Sequence, residues 1–250
     1  MQPPSTRIPE PQRLTIPWLI ALHLGPGIGF TALLIWVSQV FVQHGLTAYL
    51  AEVLLVPLIL TPMLAGIVLL WNARQGEGLS LIRSITYRKP GSVRDYVLWP
   101  TLLYLMWAGG SFVTVPIADA LQELCLGWFP HQLTTEAMFA GLEATPPGLR
   151  MPTLLAAVLC SGLVAPLVEE AYFRGFLLPR MRHLGLVAPA LSAFLFGLYH
   201  FFSPWNLPVI FLAFLPVAYV VQATGNYRIA VVVHAMLNLS GVLMVARSLA

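Results

Sequence analysis

Two adjacent glutamates, Glu169 and Glu170, interrupt an otherwise apolar stretch, and Arg174 follows four residues after the second. From Pro152 to Leu178 these are the only charges. Even on the gentlest scale a carboxylate at the centre of a bilayer costs about 2.5–3.5 kcal/mol, so two in succession require a chemical reason. Glu170 and Arg174 stand at i, i+4 with the acid first, the favourable order for a helical ion pair. Pairing offsets part of the burial penalty of both charges. Glu169 lies about 100° around the helix and cannot share that geometry, which leaves it the freer carboxylate and the better general base. Pro166, three residues earlier, has no amide hydrogen, so it leaves a carbonyl unpaired beside the acids. The competing reading, helix-packing polar groups, suits one acid paired with an arginine better than two acids in a row.

Further polar residues recur in the apolar segments that follow. His200 closes the run Phe196-Gly-Leu-Tyr-His200, with Phe196 one turn behind it on the same face. His234 and Asn238 share a face at i, i+4 in a later segment. Singly, His200 reads as an interfacial residue and the His234/Asn238 pair as interhelical hydrogen-bonding groups. Together with the glutamates they form a set suited to hydrolysis by water. Glu169 takes a proton from water that His200 helps to hold. His234 and Asn238 donate hydrogen bonds to a developing oxyanion, a contribution of about 3–4 kcal/mol per donor. No serine sits in a GxSxG elbow and no cysteine has an evident base partner, so a covalent nucleophile is not indicated. HExxH is also absent.

The elements that must position these residues are membrane helices. The chain has 250 residues, 58% of them hydrophobic and only 9% charged, with mean hydropathy +0.80; soluble domains carry about 25% charge. Seven apolar spans can be drawn, over 17–43, 46–71, 97–118, 152–178, 186–202, 207–223 and 228–246. An eighth, re-entrant element fits within 119–150. The predicted fold class is therefore all-α: a polytopic integral membrane helical bundle of seven or eight helices. Gly25-Pro26-Gly27 is expected to break or kink the first span. Most tryptophans, including Trp205, fall near span ends, as interfacial anchors do. Residues 1–16 are polar and proline-rich and read as a disordered tail rather than a signal peptide.

Charge placement orients the bundle. Arg74, Arg83, Arg88, Lys89 and Arg94 lie between spans two and three, and Arg180 and Arg182 between spans four and five. Arg228 opens span seven, and Arg7 and Arg13 lie in the tail. The opposite side holds Asp119, Glu123, Glu136 and Glu143 against Arg150 and Arg247. The positive-inside rule then places the N-terminus in the cytoplasm, with the chain multi-pass in the plasma (inner) membrane. The net charge of +3 implies no nucleic-acid partner. Cys125 and Cys160 belong to no CxxC or CxxH motif, so neither a disulfide scaffold nor a structural zinc is expected. On these spans Glu169 lies about 13 Å, His234 about 9 Å and His200 about 21 Å from the basic side. Strong tilt, or a fifth span that starts later, is needed to bring them together.

Glu169-Glu170-x-x-x-Arg174, then Phe196-x-x-x-His200, then His234-x-x-x-Asn238 resembles the CPBP family, the CAAX proteases and bacteriocin-processing enzymes, also called Abi. The resemblance covers about residues 152–246, and its specificity lies in all three motifs occurring in this order on separate apolar spans. Gly175, Arg180 and Arg182 after the first motif also resemble the family. The resemblance implies a glutamic-type intramembrane endopeptidase, with Glu169 as catalytic base, His200 as its water-activating partner and His234 and Asn238 as the oxyanion site. Glu170, Arg174 and Phe196 would support and orient them. It further implies a catalytic core over 152–250, a variable transmembrane region over 17–151, and a membrane-anchored protein or peptide substrate cut near its C-terminus. No cofactor and no essential metal are expected. The alternatives are a zinc-dependent hydrolase with Glu169, His200 and His234 as ligands, a non-catalytic membrane scaffold, and a proton-coupled transporter. The last fits poorly, because the polar residues crowd into the C-terminal half and no internal repeat is evident.

Overall fold

The computed structural model describes residues 11–76, 78–125 and 127–248; Arg7 and most of the expected tail lie outside them. Apolar runs of 20 to 34 residues supply six helices long and apolar enough to cross a membrane. These are α1 (Ile16–Gln43), α2 (Ala48–Gln75), α3 (Val93–Cys125), α5 (Pro147–Arg180), α7 (Leu207–Thr224, led in by the turn Pro204–Asn206) and α8 (Arg228–Ser248). Two shorter helices complete the bundle: α4 (Thr135–Ala144) and the apolar α6 (Val187–Tyr199). No strand occurs among the described residues, where Arg88 and Asn226 form an isolated bridge. Each of the seven predicted spans coincides with a helix, and α4 lies inside the 119–150 segment.

Local chemistry sets the ends. Thr47 caps α2, its hydroxyl accepting the Leu50 amide at 3.0 Å, and Thr134 does the same for α4 with Ala137 at 3.3 Å. Gly76 and Gly225 end α2 and α7 in the left-handed region, where a side chain would be strained. Large apolar side chains such as Trp36, Leu70 and Phe112 remain exposed around the outside of the helices, the surface expected to meet lipid.

The basic connections gather at one end. Tyr227 donates its amide to Tyr87 O and Lys89 to Gly225 O, both at 2.9 Å, and Leu14 donates to Arg180 O at 3.3 Å. These bonds tie the chain entry, the segment 85–91 and the 225–227 turn together. At the opposite end α4 lies over the start of α2.

Three prolines explain how the helices lock. Each withholds an amide hydrogen, and in each case another element supplies the missing donor. Pro26 leaves Leu22 O without its usual partner, and the Tyr172 hydroxyl of α5 donates to that carbonyl at 2.8 Å. α1 therefore runs through Gly25-Pro26-Gly27 as one continuous helix rather than breaking there. In α5 the turn Cys160–Val164 is π-helical, with the Ala165 amide reaching back to Cys160 O. The next amide in that register would be Pro166, so Ser161 O is left over, and Asn238 Nδ2 of α8 donates to it at 2.7 Å. Pro179 likewise frees Gly175 O for the Thr86 amide at 2.9 Å.

Candidate active site

Glu169 and Glu170 end a short α-helical turn, Ala165–Glu170, held between two π-helical turns of α5, Cys160–Val164 and Ala171–Leu177. Such π-turns wind the helix more loosely and recur at functional sites. Gly162 makes the approach to α8 possible, because a Cβ there would stand 2.6 Å from Leu239 Cδ2. α8 thus comes close enough for His234 to reach both glutamates.

Glu170 is fully buried and bonded twice through one oxygen. Its Oε1 accepts Arg174 Nη1 at 3.1 Å and His234 Nδ1 at 2.9 Å. The expected i, i+4 ion pair forms, and His234 joins it. The Arg174 guanidinium, also fully buried, lies 4.0 Å from the ring centre of Phe196 and 4.8 Å from that of Phe214. These rings take a cation on their faces where water cannot solvate it. Phe196 therefore acts on the ion pair as well as on the histidine one turn later.

Glu169, expected to be the freer carboxylate, is outside the Arg174 pair and has a different partner. The Tyr199 hydroxyl donates to its Oε1 at 3.1 Å. Its Oε2 stands 3.9 Å from His234 Nε2, too far for a hydrogen bond. Because a carboxylate can only accept, His234 Nδ1 donates to Glu170, and Nε2 is the nitrogen turned toward Glu169.

His200 follows the last residue of α6. Its Nδ1 lies 2.8 Å from Phe196 O, and a carbonyl can only accept, so Nδ1 holds the proton and Nε2 of the neutral ring is a lone-pair acceptor. This contact also reduces the expected mismatch in depth. α6 has 13 residues, about 20 Å at 1.5 Å per residue, and stops inside the bundle. The His200 ring folds back by one turn, roughly 5 Å, toward the basic end. Trp205, expected to anchor at the interface, is 3% exposed and meets Phe129 edge-on at 5.0 Å inside the bundle.

Glu169, His200, His234 and Asn238 line one cavity of about 430 Å³, together with Ser161. Phe30 of α1 and Glu52 of α2 also line it, so the first half of the chain supplies part of the wall. Sequence reasoning named none of Ser161, Phe30 and Glu52, and it missed Tyr199 and Phe214 beside the acids. Tyr199 was visible only as a hydroxyl-bearing residue beside His200, and Phe214 carried no signal at all. Asn238 gives one amide hydrogen to Ser161 O and keeps one. Among the described residues, no three His, Cys, Asp or Glu side chains are grouped so as to hold a metal ion. His234 Nδ1 is engaged by Glu170 and His200 Nδ1 by Phe196 O, which leaves Nε2 of each ring toward the cavity.

Residues 151–240 match the family model described as type II CAAX prenyl endopeptidase Rce1-like. No curated protein and no solved structure matches the chain. The matched segment runs from the first turns of α5 into α8 and contains all three polar motifs. Its helices are those of a multi-pass membrane protein. Over residues 151–240 the chain is thus similar to the Rce1-like CAAX prenyl endopeptidases, consistent with the CPBP group that its motifs resemble.

Proposed function

We propose that the protein is a glutamate-dependent endopeptidase that uses water directly and cuts a membrane-anchored protein or peptide near its C-terminus. The observation that carries this reading is the division of labour between the two glutamates. Glu170 is spent on Arg174 and His234, whereas Glu169 keeps one oxygen free of hydrogen bonds within the cavity that His200, His234 and Asn238 line.

The proposed sequence of steps uses these atoms. A water donates one hydrogen bond to His200 Nε2 and gives its other proton to Glu169 Oε2 as its oxygen attacks the scissile carbonyl carbon. The developing oxyanion accepts from Nε2–H of a doubly protonated His234, whose charge faces Glu170, and from the second Asn238 amide hydrogen. When the C–N bond breaks, Glu169 returns its proton to the leaving amine. Tyr199 holds Glu169 in place through the other oxygen.

The catalytic core is proposed to be 152–250, framed by helices from 17–151. The gathered basic loops support an N-terminus in the cytoplasm and residence in the plasma (inner) membrane.

Purified protein in liposomes, supplied with lipid-anchored reporter peptides, tests the proposal. Glu169→Gln should lose cleavage by a factor of about 10²–10⁴, the contribution of a positioned general base, while remaining folded. Undiminished cleavage by this variant refutes the proposal.

A further inference from the structure

Glu52 is the one acidic side chain from the first half of the chain that lines the cavity holding Glu169, His200 and His234. It stands in α2, a membrane-spanning helix, in the turn before the π-turn Val56–Leu60. It also lines an adjoining cavity of about 190 Å³ beneath α4. Tyr49, Phe139, Phe202, Ser203 and Asn206 border both spaces, so the two meet around Glu52. This smaller space lies toward the acidic end of the bundle, on the far side of the His200 turn from the basic loops.

The two glutamates of α5 have partners within the protein: Arg174 and His234 for Glu170, Tyr199 for Glu169. Glu52 differs. Among the described residues no basic side chain lies within ion-pair distance of it, and neither cavity is lined by a lysine, or by any arginine. The polar side chains that border both spaces with it are the neutral hydroxyls and amide of Tyr49, Ser203 and Asn206. A carboxylate placed in a membrane helix without a counter-charge is costly unless something compensates it. Its position on the wall of both cavities lets a cationic group of a bound substrate compensate it.

We infer that Glu52 is a specificity-determining residue that receives a lysine or arginine side chain of the substrate segment lying between the catalytic cavity and the space beneath α4. A long cationic side chain fits this site because its methylenes can lie along Phe139 and Phe202 while the charge reaches Glu52. The same field disfavours an acidic side chain at that position. The inference rests on the proposed peptide-hydrolase reading for its ligand, but not on the catalytic roles of Glu169 or His200.

The test uses detergent-solubilised protein and a set of fluorescent lipid-anchored peptides that differ only in carrying Lys, Gln or Glu at each position in turn. Binding is measured separately from cleavage. Wild type should bind the Lys peptides at one register about tenfold or more tighter than their Gln counterparts. That ratio should fall to near one in Glu52→Gln and invert in favour of Glu peptides in Glu52→Lys, an exchange that a purely structural role could not produce. Equal binding of Lys and Gln peptides by wild type at every register overturns the inference, as does a ratio unchanged in Glu52→Gln. Cleavage of the same peptides by wild type and Glu169→Gln reports on the hydrolase reading by itself. Charge selection without Glu169-dependent cleavage leaves the Glu52 site standing and removes the mechanism. Glu169-dependent cleavage without charge selection does the reverse.

Discussion

Removing Arg174 tests the separation of roles between the two glutamates without any substrate. Arg174 and Glu170 are both fully buried, and their contact is a single bond of 3.1 Å. Among the described residues, Arg174 Nε and Nη2 and Glu170 Oε2 have no hydrogen-bond partner. Arg174→Met retains much of the side-chain volume but leaves the Glu170 charge buried with His234 as its remaining donor. Stranding one member of a buried pair typically costs about 3–5 kcal/mol, a large share of the 5–15 kcal/mol that holds a domain folded. Removing both charges has a different effect. In Glu170→Gln/Arg174→Met the amide oxygen can still accept from His234 Nδ1, and no uncompensated charge remains. An incompletely bonded buried pair can be replaced by neutral groups at little loss, so the double variant should recover about 2 kcal/mol or more relative to Arg174→Met. The assay is reversible denaturation in mixed micelles, followed by tryptophan fluorescence; Trp71 meets Phe176, close to the site, edge-on at 6.3 Å. Arg174→Met within about 0.5 kcal/mol of wild type, or a double variant less stable than the single one, refutes the reasoning.

Tyr199→Phe removes the donor to Glu169 Oε1. Hydrogen bonds to charged groups contribute about 1.5–3 kcal/mol, so kcat should fall roughly ten- to a hundredfold with KM little changed, measured on a lipid-anchored reporter peptide. Asn238→Ala should affect stability as well as rate, because it strands Ser161 O beside Pro166. A loss of about 1–3 kcal/mol in the denaturation assay is expected, together with a rate loss of about 3–4 kcal/mol in the barrier if the second amide hydrogen meets the oxyanion. Gly27→Ala places a Cβ 2.1 Å from Tyr199 O, so α1 must back away from the turn that carries His200. Overfilling of this kind costs about 1–3 kcal/mol, and activity should fall with stability, whereas Gly25→Ala meets nothing within 4 Å and should change neither.

Much of this was legible in the sequence, because it depends on short-range rules. Hydrophobic runs of bilayer length define the spans, and the cost of intramembrane charge marks the acids. The i, i+4 spacing predicts the Glu170–Arg174 pair, and the order of the three motifs carries a family resemblance in the region that the family model also matches. Contacts between elements were not legible. His234 bonds to Glu170 because Gly162 lets α8 approach, and Tyr199 reaches Glu169 from a helix 30 positions further along the chain. The expected break at Gly25-Pro26-Gly27 did not occur, since proline only removes an amide hydrogen and another helix can supply a donor, as Tyr172 does. Pro166 was expected to expose a carbonyl. Which group would answer it could not be known until α8 brought Asn238 alongside.

Composition, periodicity and spacing act within one helix, so they are enough to define a membrane bundle with a set of polar residues in its C-terminal half. Packing between helices sets which carboxylate keeps an oxygen free of hydrogen bonds, which nitrogen of each histidine faces the cavity, and that Glu52 from the first half of the chain shares it. Those outcomes depend on which donors and acceptors meet across helices, and no rule of local spacing contains that information.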